Sequence, residues 1–174
     1  MTFSVINYLG APGISSSDPL QANSLPKVPL GTTVRGVDPT YGEAEFRYVL
    51  QVTLQTVGSV VIYDPTTFQS ALLTVTNGKN KGVPVGVCMS VPTVGTASYG
   101  WVQVSGLATI KKTSVAVTPN VPIFISGTSG RIKVLASAGQ QILGAQTANL
   151  TTIVTTTSTV VVQIDRPHTQ GQIT

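Results

Sequence analysis

The sequence predicts an all-β protein: a β-sandwich or a Greek-key or jelly-roll-like barrel, preceded by an extended N-terminal arm. Three observations carry that expectation. Val and Thr together fill about fifty of the 174 positions, and β-branched side chains suit a pleated surface better than a helix. Charged residues are 9 % of the chain, against about a quarter in an ordinary soluble domain, which excludes highly charged disorder, coiled coils and charged tails. Short apolar runs are separated by Gly, Pro, Asn and Asp at intervals of about 8 to 12 residues, the spacing of a sandwich or small barrel. A chain of this length buries about 70 % of its unfolded surface, so a core forms without disulfides or metals.

Residues 1–44 read as the arm. Pro12, Pro19, Pro26, Pro29 and Pro39, with Gly10, Gly13, Gly31, Gly36 and Gly42, interrupt every period. Tyr8, Leu9, Ile14, Leu20, Leu25, Val28 and Leu30 give it apolar anchors at irregular spacing, and such side chains need a surface to lie on. They are the candidate contacts to another subunit or to a larger assembly.

The β domain is expected over residues 45–166. It opens with strict alternation: Phe46, Tyr48, Leu50, Val52 and Leu54 on one face, Glu45, Arg47, Val49, Gln51 and Thr53 on the other, read as a strand with one buried face. Val60 to Tyr63 and Ala71 to Thr76 read as further strands. Asn77-Gly78 reads as a turn pair, and Lys79 and Lys81 mark it as solvated. Val83, Val85, Val87, Met89 and Val91 alternate next, with Pro84 and Pro92 suggesting an open sheet edge. Tyr99 to Ile110 reads as a strand bent at Gly106. Gly127-Thr128-Ser129-Gly130 is hairpin chemistry between Val121 to Ile125 and Arg131 to Leu135. Gln140 to Ala145 and Thr159 to Asp165 complete the domain, and residues 167–174 read as a polar tail.

The catalytic inventory is short. His168, the one histidine, falls in the expected tail with no partner to orient it as a base. Ser105-Gly106 and Ser129-Gly130 read as turns, with no nucleophile elbow around them. Glu43 and Glu45 share one strand face by parity, the one close pair of carboxylates and the one candidate for general acid–base work on a glycoside. Beside Arg47 at a strand start, a surface-polar role is the simpler reading. One Cys, one His and six acids do not supply a zinc or calcium shell from side chains. Neither Gly10-Ala11-Pro12-Gly13 nor Asn77-Gly78-Lys79 has phosphate-loop spacing, so no cofactor is expected. Cys88 lies in an apolar run and reads as a buried thiol. Asn149-Leu150-Thr151 matches a glycosylation acceptor, read as chance because Lys27 is the first basic residue and no secretory signal precedes it.

Formal net charge is +4, but the ten basic residues form no run longer than two and carry no interleaved aromatics. Nucleic acid is therefore not an expected partner, and Lys79, Lys81, Lys111 and Lys112 read as solvated turn residues. Tyr48 to Tyr63, Gly82 to Ile110 and Val134 to Ile164 carry no charge at all, yet Gly, Pro, Thr, Ser or Gln breaks each of them. None offers the roughly 18 continuous apolar residues of a helical span, and no membrane partner is expected.

The stretch from Leu30 to Tyr48, LGTTVRGVDPTYGEAEFRY, resembles a pattern met in virion proteins of tailed bacteriophages. Gly82 to Met89 with Tyr99-Gly100-Trp101-Val102-Gln103-Val104-Ser105-Gly106, and the closing Val162 to Pro167, are similar to the same proteins and to head decoration (capsid cement) proteins. The resemblance spans about residues 30 to 168. It implies a β-rich domain, a homotrimer, that is made in the host cytoplasm and binds the exterior of the phage head, where it holds major capsid proteins together. A tail or fibre module binding a host surface glycan is the alternative. Under either reading the chain is not an enzyme.

Overall fold

The computed structural model describes residues 4–6, 13–14, 18–19, 25–52, 55–91 and 98–172. Among them, twelve strands join one continuous sheet: β1 (Ser4–Ile6), β2 (Asp18–Pro19), β3 (Thr33–Asp38), β4 (Gly42–Gln51), β5 (Val60–Tyr63), β6 (Gln69–Leu72), β7 (Val85–Cys88), β8 (Ser98–Lys111), β9 (Pro122–Ile125), β10 (Ile132–Lys133), β11 (Gln141–Thr147) and β12 (Thr159–Thr169). The fold is all-β, as the β-branched composition requires. The spatial order is β1-β3-β4-β6-β5-β7-β8-β12-β11-β9-β10, and β4 also pairs with β8. That extra pairing closes β4, β6, β5, β7 and β8 into a five-stranded barrel, antiparallel except between β4 and β6. Closure removes the free edges that a short open sheet would leave.

Three cores follow from this topology. Val49, Val61, Tyr63, Cys88, Val102 and Val104, with Phe68 and Leu72, come from every barrel strand and its connections and fill its interior. The opposite face of β4 and β8 carries Phe46, Tyr48, Tyr99 and Trp101, covered by Ile14, Val28, Val34 and Leu30. Tyr48 stacks against Tyr99 at 6.1 Å and meets Trp101 at 4.9 Å. The third and most aliphatic core joins Val60, Val85 and Val87 of the barrel to Ile123, Ile125, Ile132, Ile142, Val160, Val162 and Ile164 of the C-terminal sheet.

Strand β8 connects all three. It pairs with β4 over Ser98 to Ser105 and with β12 over Ser105 to Lys111. Its even face lines the barrel at Val102 and Val104, and beyond Gly106 the same face covers the aliphatic core at Ala108 and Ile110. The expected bend is at Gly106, where φ is +96° and a β-carbon would stand 2.6 Å from the Glu43 carbonyl oxygen. Glycine alone combines that backbone with that approach.

Several expectations change. Strand β4 is buried on both faces, because the Val49 and Gln51 side of the alternation points into a closed barrel instead of solvent. Thr53 and Leu54, from the same alternation, lie outside the described residues. The arm boundary at 44 falls inside β4, and β3 lies within the expected arm. Asp38 accepts backbone hydrogen bonds from Thr40 and Tyr41 at 2.8 and 3.0 Å, so the Pro39 to Gly42 breakers form a hairpin turn between two paired strands. The expected tail from 167 is strand through Thr169, whose hydroxyl and amide both bond Val83. Asn77-Gly78 is helical, forming α1 (Val75–Gly78): Thr74 and Asn77 satisfy each other's backbone amides in a capping box. Strand β7 is central, between β5 and β8, with Pro84 just ahead of its first residue, where no ladder donor is needed. Pro92 lies outside the described residues. Lys112 is fully buried instead of solvated.

Candidate functional site

Two surfaces carry polar side chains that the fold brings together from distant segments. The first is a groove of about 540 Å³ where β3, β4, β8 and β12 meet, lined by Arg35, Glu43, Glu45, Ser105, Gln163, Asp165 and Arg166. Ser105 pairs with Glu45 on one strand and with Asp165 on another, so carboxylates separated by 120 residues of chain face one cleft. Glu45 is held between two guanidinium groups, Oε1 to Arg35 Nε at 3.5 Å and Oε2 to Arg166 Nη2 at 3.1 Å. Arg166 reaches it from a left-handed backbone, φ +42°, a conformation disfavoured for a long side chain. Opposite, Gly144 lies at φ +71°, and a β-carbon there would stand 2.6 Å from the Asp165 carbonyl oxygen.

The structure thus brings the candidate pair Glu43 and Glu45 to one groove and gives both oxygens of Glu45 to ion pairs. That is the arrangement of a fixed charge. His168 is exposed on β12, where it pairs with Leu143 and bridges Pro84. Among the described residues, no group of three or more His, Cys, Asp or Glu is placed to hold a metal ion. No described helix is long and apolar enough to cross a membrane.

The other chemistry-bearing side chains are held by the barrel and its neighbouring loops. Cys88 is buried, its thiol donating to the Ser90 carbonyl at 2.9 Å and accepting from Gln51 Nε2 at 3.2 Å. Ser90 Oγ donates to Gln51 Oε1 at 3.3 Å, closing a small polar ring. Burial pushes the Cys88 thiol up to about 11, against the lowering effect of those bonds, so it is a poor nucleophile at neutral pH. Arg47 lies over the Tyr63 ring at 5.5 Å. Burial raises the Tyr63 phenol although Arg47 acts to lower it. Asp64 is held below its ordinary value chiefly by the backbone amide of Thr67, and next by that of Thr66. The Asn149 side chain is buried and donates to the Val117 and Thr151 carbonyls, so the acceptor-like triplet is occupied by the fold.

The second surface lies at the other end of β8. Lys111 donates to Thr56 Oγ1, beside exposed Val57, and its backbone amide bonds Gly58. Lys112 sends its ammonium inward to the carbonyls of Val115, Val154 and Thr113 at 2.8, 3.1 and 3.3 Å. Desolvation lowers its pKa. Arg131 Nη1 donates to the Lys112 carbonyl at 2.9 Å, and the Thr113 amide bonds Ile132. The turn at Val57, the β9–β10 hairpin and the loop through Val154 therefore all converge on Lys111 to Thr113.

The seven expected arm contacts divide. Ile14 and Val28 are buried within the chain's own aromatic core, and Leu30 packs against it. Leu25 is 88 % exposed. Tyr8, Leu9 and Leu20 lie outside the described residues. Ile14, Val28 and Leu30 are thus used within this chain, and Leu25 is the described anchor presented outward.

The chain matches no protein-family model and no curated protein sequence.

Proposed function

We propose that this chain is a structural virion protein: a head decoration or cement protein that binds the exterior of a bacteriophage head and bridges major capsid proteins, as a homotrimer. The observation that carries this reading is the character of the outer surface between Val134 and Ile164. The segment has no charged side chain, yet Leu135, Leu150 and Val154 are 70, 97 and 58 % exposed, amid exposed Thr151, Thr152, Thr155, Thr156, Thr157 and Ser158. Protruding aliphatic side chains in a neutral hydroxyl surface suit burial against another protein, since a hydroxyl costs far less to desolvate than an ion. Several such weak contacts per oligomer give avidity on a repeating lattice. The phage-like residue blocks from Leu30 to Pro167 point the same way.

The test is light scattering of the purified chain together with co-sedimentation on undecorated heads. Trimers that pellet with heads support the reading; a monomer that stays in the supernatant rejects it.

The groove favours a second reading, a tail or fibre module that binds a host glycan, because its carboxylates, guanidiniums and the Gln163 amide are groups that hydrogen-bond sugar hydroxyls and its volume is that of a small-molecule site. Antibody labelling of virions separates the two: signal over the shell supports decoration, and signal at the tail tip supports the glycan module.

A further inference from the structure

The charges of this protein are few, but they are segregated. From Pro65 to Ile164, a hundred consecutive residues, there is no Asp or Glu, while Lys79, Lys81, Lys111, Lys112, Arg131 and Lys133 all fall in that stretch. The fold turns this asymmetry into an axis along β8. At the Ser105 end lie Glu43, Glu45 and Asp165 with their arginines. At the Lys111 end, about 20 Å away for six residues rising about 3.3 Å each, Lys111 reaches Thr56 beside Val57, Arg131 reaches the Lys112 carbonyl, and Lys112 holds the Val154 carbonyl; Val57 and Val154 are 51 and 58 % exposed. Lys133 follows the buried Ile132 on β10 and donates its ammonium to Ser137 Oγ at 2.7 Å. No acid from the hundred-residue stretch can neutralise this end.

We infer that this end of the molecule, Val57, Lys111, Arg131, Lys133 and Val154, is a docking surface for an acidic face of another protein. Charge complementarity selects the sign of the partner, and the exposed valines select its class. Exposed aliphatic side chains near cations match the apolar centre and polar rim of a protein interface. A phosphate backbone offers them nothing to pack on, and none of the five is an aromatic that would stack on a base. A second copy of this chain is a weak complement, because its acidic end already holds Arg35 and Arg166 among its carboxylates. Lys112 is the positioning residue: its buried ammonium fixes the backbone of Val154 to that of Thr113 and Val115, so the valine and the cations keep one arrangement in the free protein.

The inference rests on the decoration reading only in naming the partner as a capsid protein. Its test compares the full chain with K111Q/K133Q and with a control of equal charge loss, K79Q/K81Q, all three first shown to melt alike. Each is titrated onto poly-L-glutamate, duplex DNA and undecorated heads. The expected result is a loss of about tenfold or more for K111Q/K133Q on poly-L-glutamate and heads, about 1.4 kcal/mol, with the control within about twofold of the unaltered chain. Equal loss in both variants, no binding to poly-L-glutamate, or tighter binding to DNA than to poly-L-glutamate overturns it. Discrimination on poly-L-glutamate with no binding to heads rejects the shell reading and keeps the docking surface. Heads that bind K111Q/K133Q as well as the unaltered chain reject the surface and keep the shell reading.

Discussion

The two halves of β8 occupy different physical environments although one strand forms both. The Ser98 to Ser105 half closes a barrel whose end holds Gln51, Cys88 and Ser90 in mutual hydrogen bonds, and it runs toward a groove where Glu45 is paired with Arg35 and Arg166. The Gly106 to Lys111 half lies in a sheet with an aliphatic core and ends at Lys111 and Lys112, within a hundred residues of sequence that hold no acid. Polar groups thus serve opposite purposes. In the barrel Gln51, Cys88 and Ser90 satisfy one another; at the far end of β8 one buried ammonium organises loops, while Lys111, Arg131 and Lys133 donate to hydroxyls and a backbone carbonyl.

The contrast is broken most severely at Lys112. Replacing it with Met keeps the stem but removes the donor to the Val115 carbonyl and one of the two donors to the carbonyls of Thr113 and Val154. Lys112→Met is expected to cost about 3 kcal/mol in urea unfolding. Its hydrogen exchange is expected to rise first in the loops around residues 113–117 and 148–158, and an exchange increase spread evenly over the barrel would show that the two halves are one unit.

Alkaline pH should instead act on the barrel half. The Cys88 thiol titrates at about 11 in the fold against 9.0 for the ordinary group. A raised value means that the folded state holds its proton longer, so the stabilisation is complete below pH 9 and is lost as pH rises toward about 11. The loss is at most about 2 to 3 kcal/mol. Cys88→Ser keeps a donor and an acceptor at that position and removes the titration. The difference between the two unfolding curves should therefore change over that window and be flat below it.

Glycine substitutions sharpen the comparison at smaller cost. A β-carbon at Gly100 would stand 2.3 Å from Ser90 Oγ and 2.7 Å from Gln51 Oε1, within the polar ring. Gly100→Ala is expected to destabilise by about 2 kcal/mol, whereas Gly127→Ala, with nothing within 4 Å, should leave the melting temperature almost unchanged. The smallest effect is expected in the groove. Arg35 is two-thirds exposed, so Arg35→Gln should cost under about 0.5 kcal/mol in the same assay. A large loss there would make the groove part of the folding core instead of a surface feature.

Individual residues show how far the sequence could be read. The alternation around Val60, Val85 and Val162, the hairpin at Gly127 to Gly130 and the bend at Gly106 were all legible, because period and turn chemistry are local properties. Lys112 was not: a lysine beside another lysine near a turn reads as solvated, and only the carbonyls of Val115 and Val154, brought in by tertiary contact, make its burial tolerable. Asn77-Gly78 reads as a turn pair because Asn77's partner in the capping box is Thr74, a choice that depends on the chain continuing as a helical turn. The cationic end had a sequence signal, the hundred residues without an acid, which the total charge of +4 conceals.

The sequence by itself determined an all-β chain with a neutral hydroxyl surface, a buried thiol and little catalytic equipment, since these depend on composition and on periods of two. Tertiary structure alone decided that β4 faces inward on both sides, that Ile14 and Val28 belong to the chain's own core, and that Glu45 meets Arg166. Each of those depends on the pairing of β4 with β8 and of β8 with β12, contacts between residues far apart in the chain, where local preference is silent and the closure of a barrel dictates which faces meet.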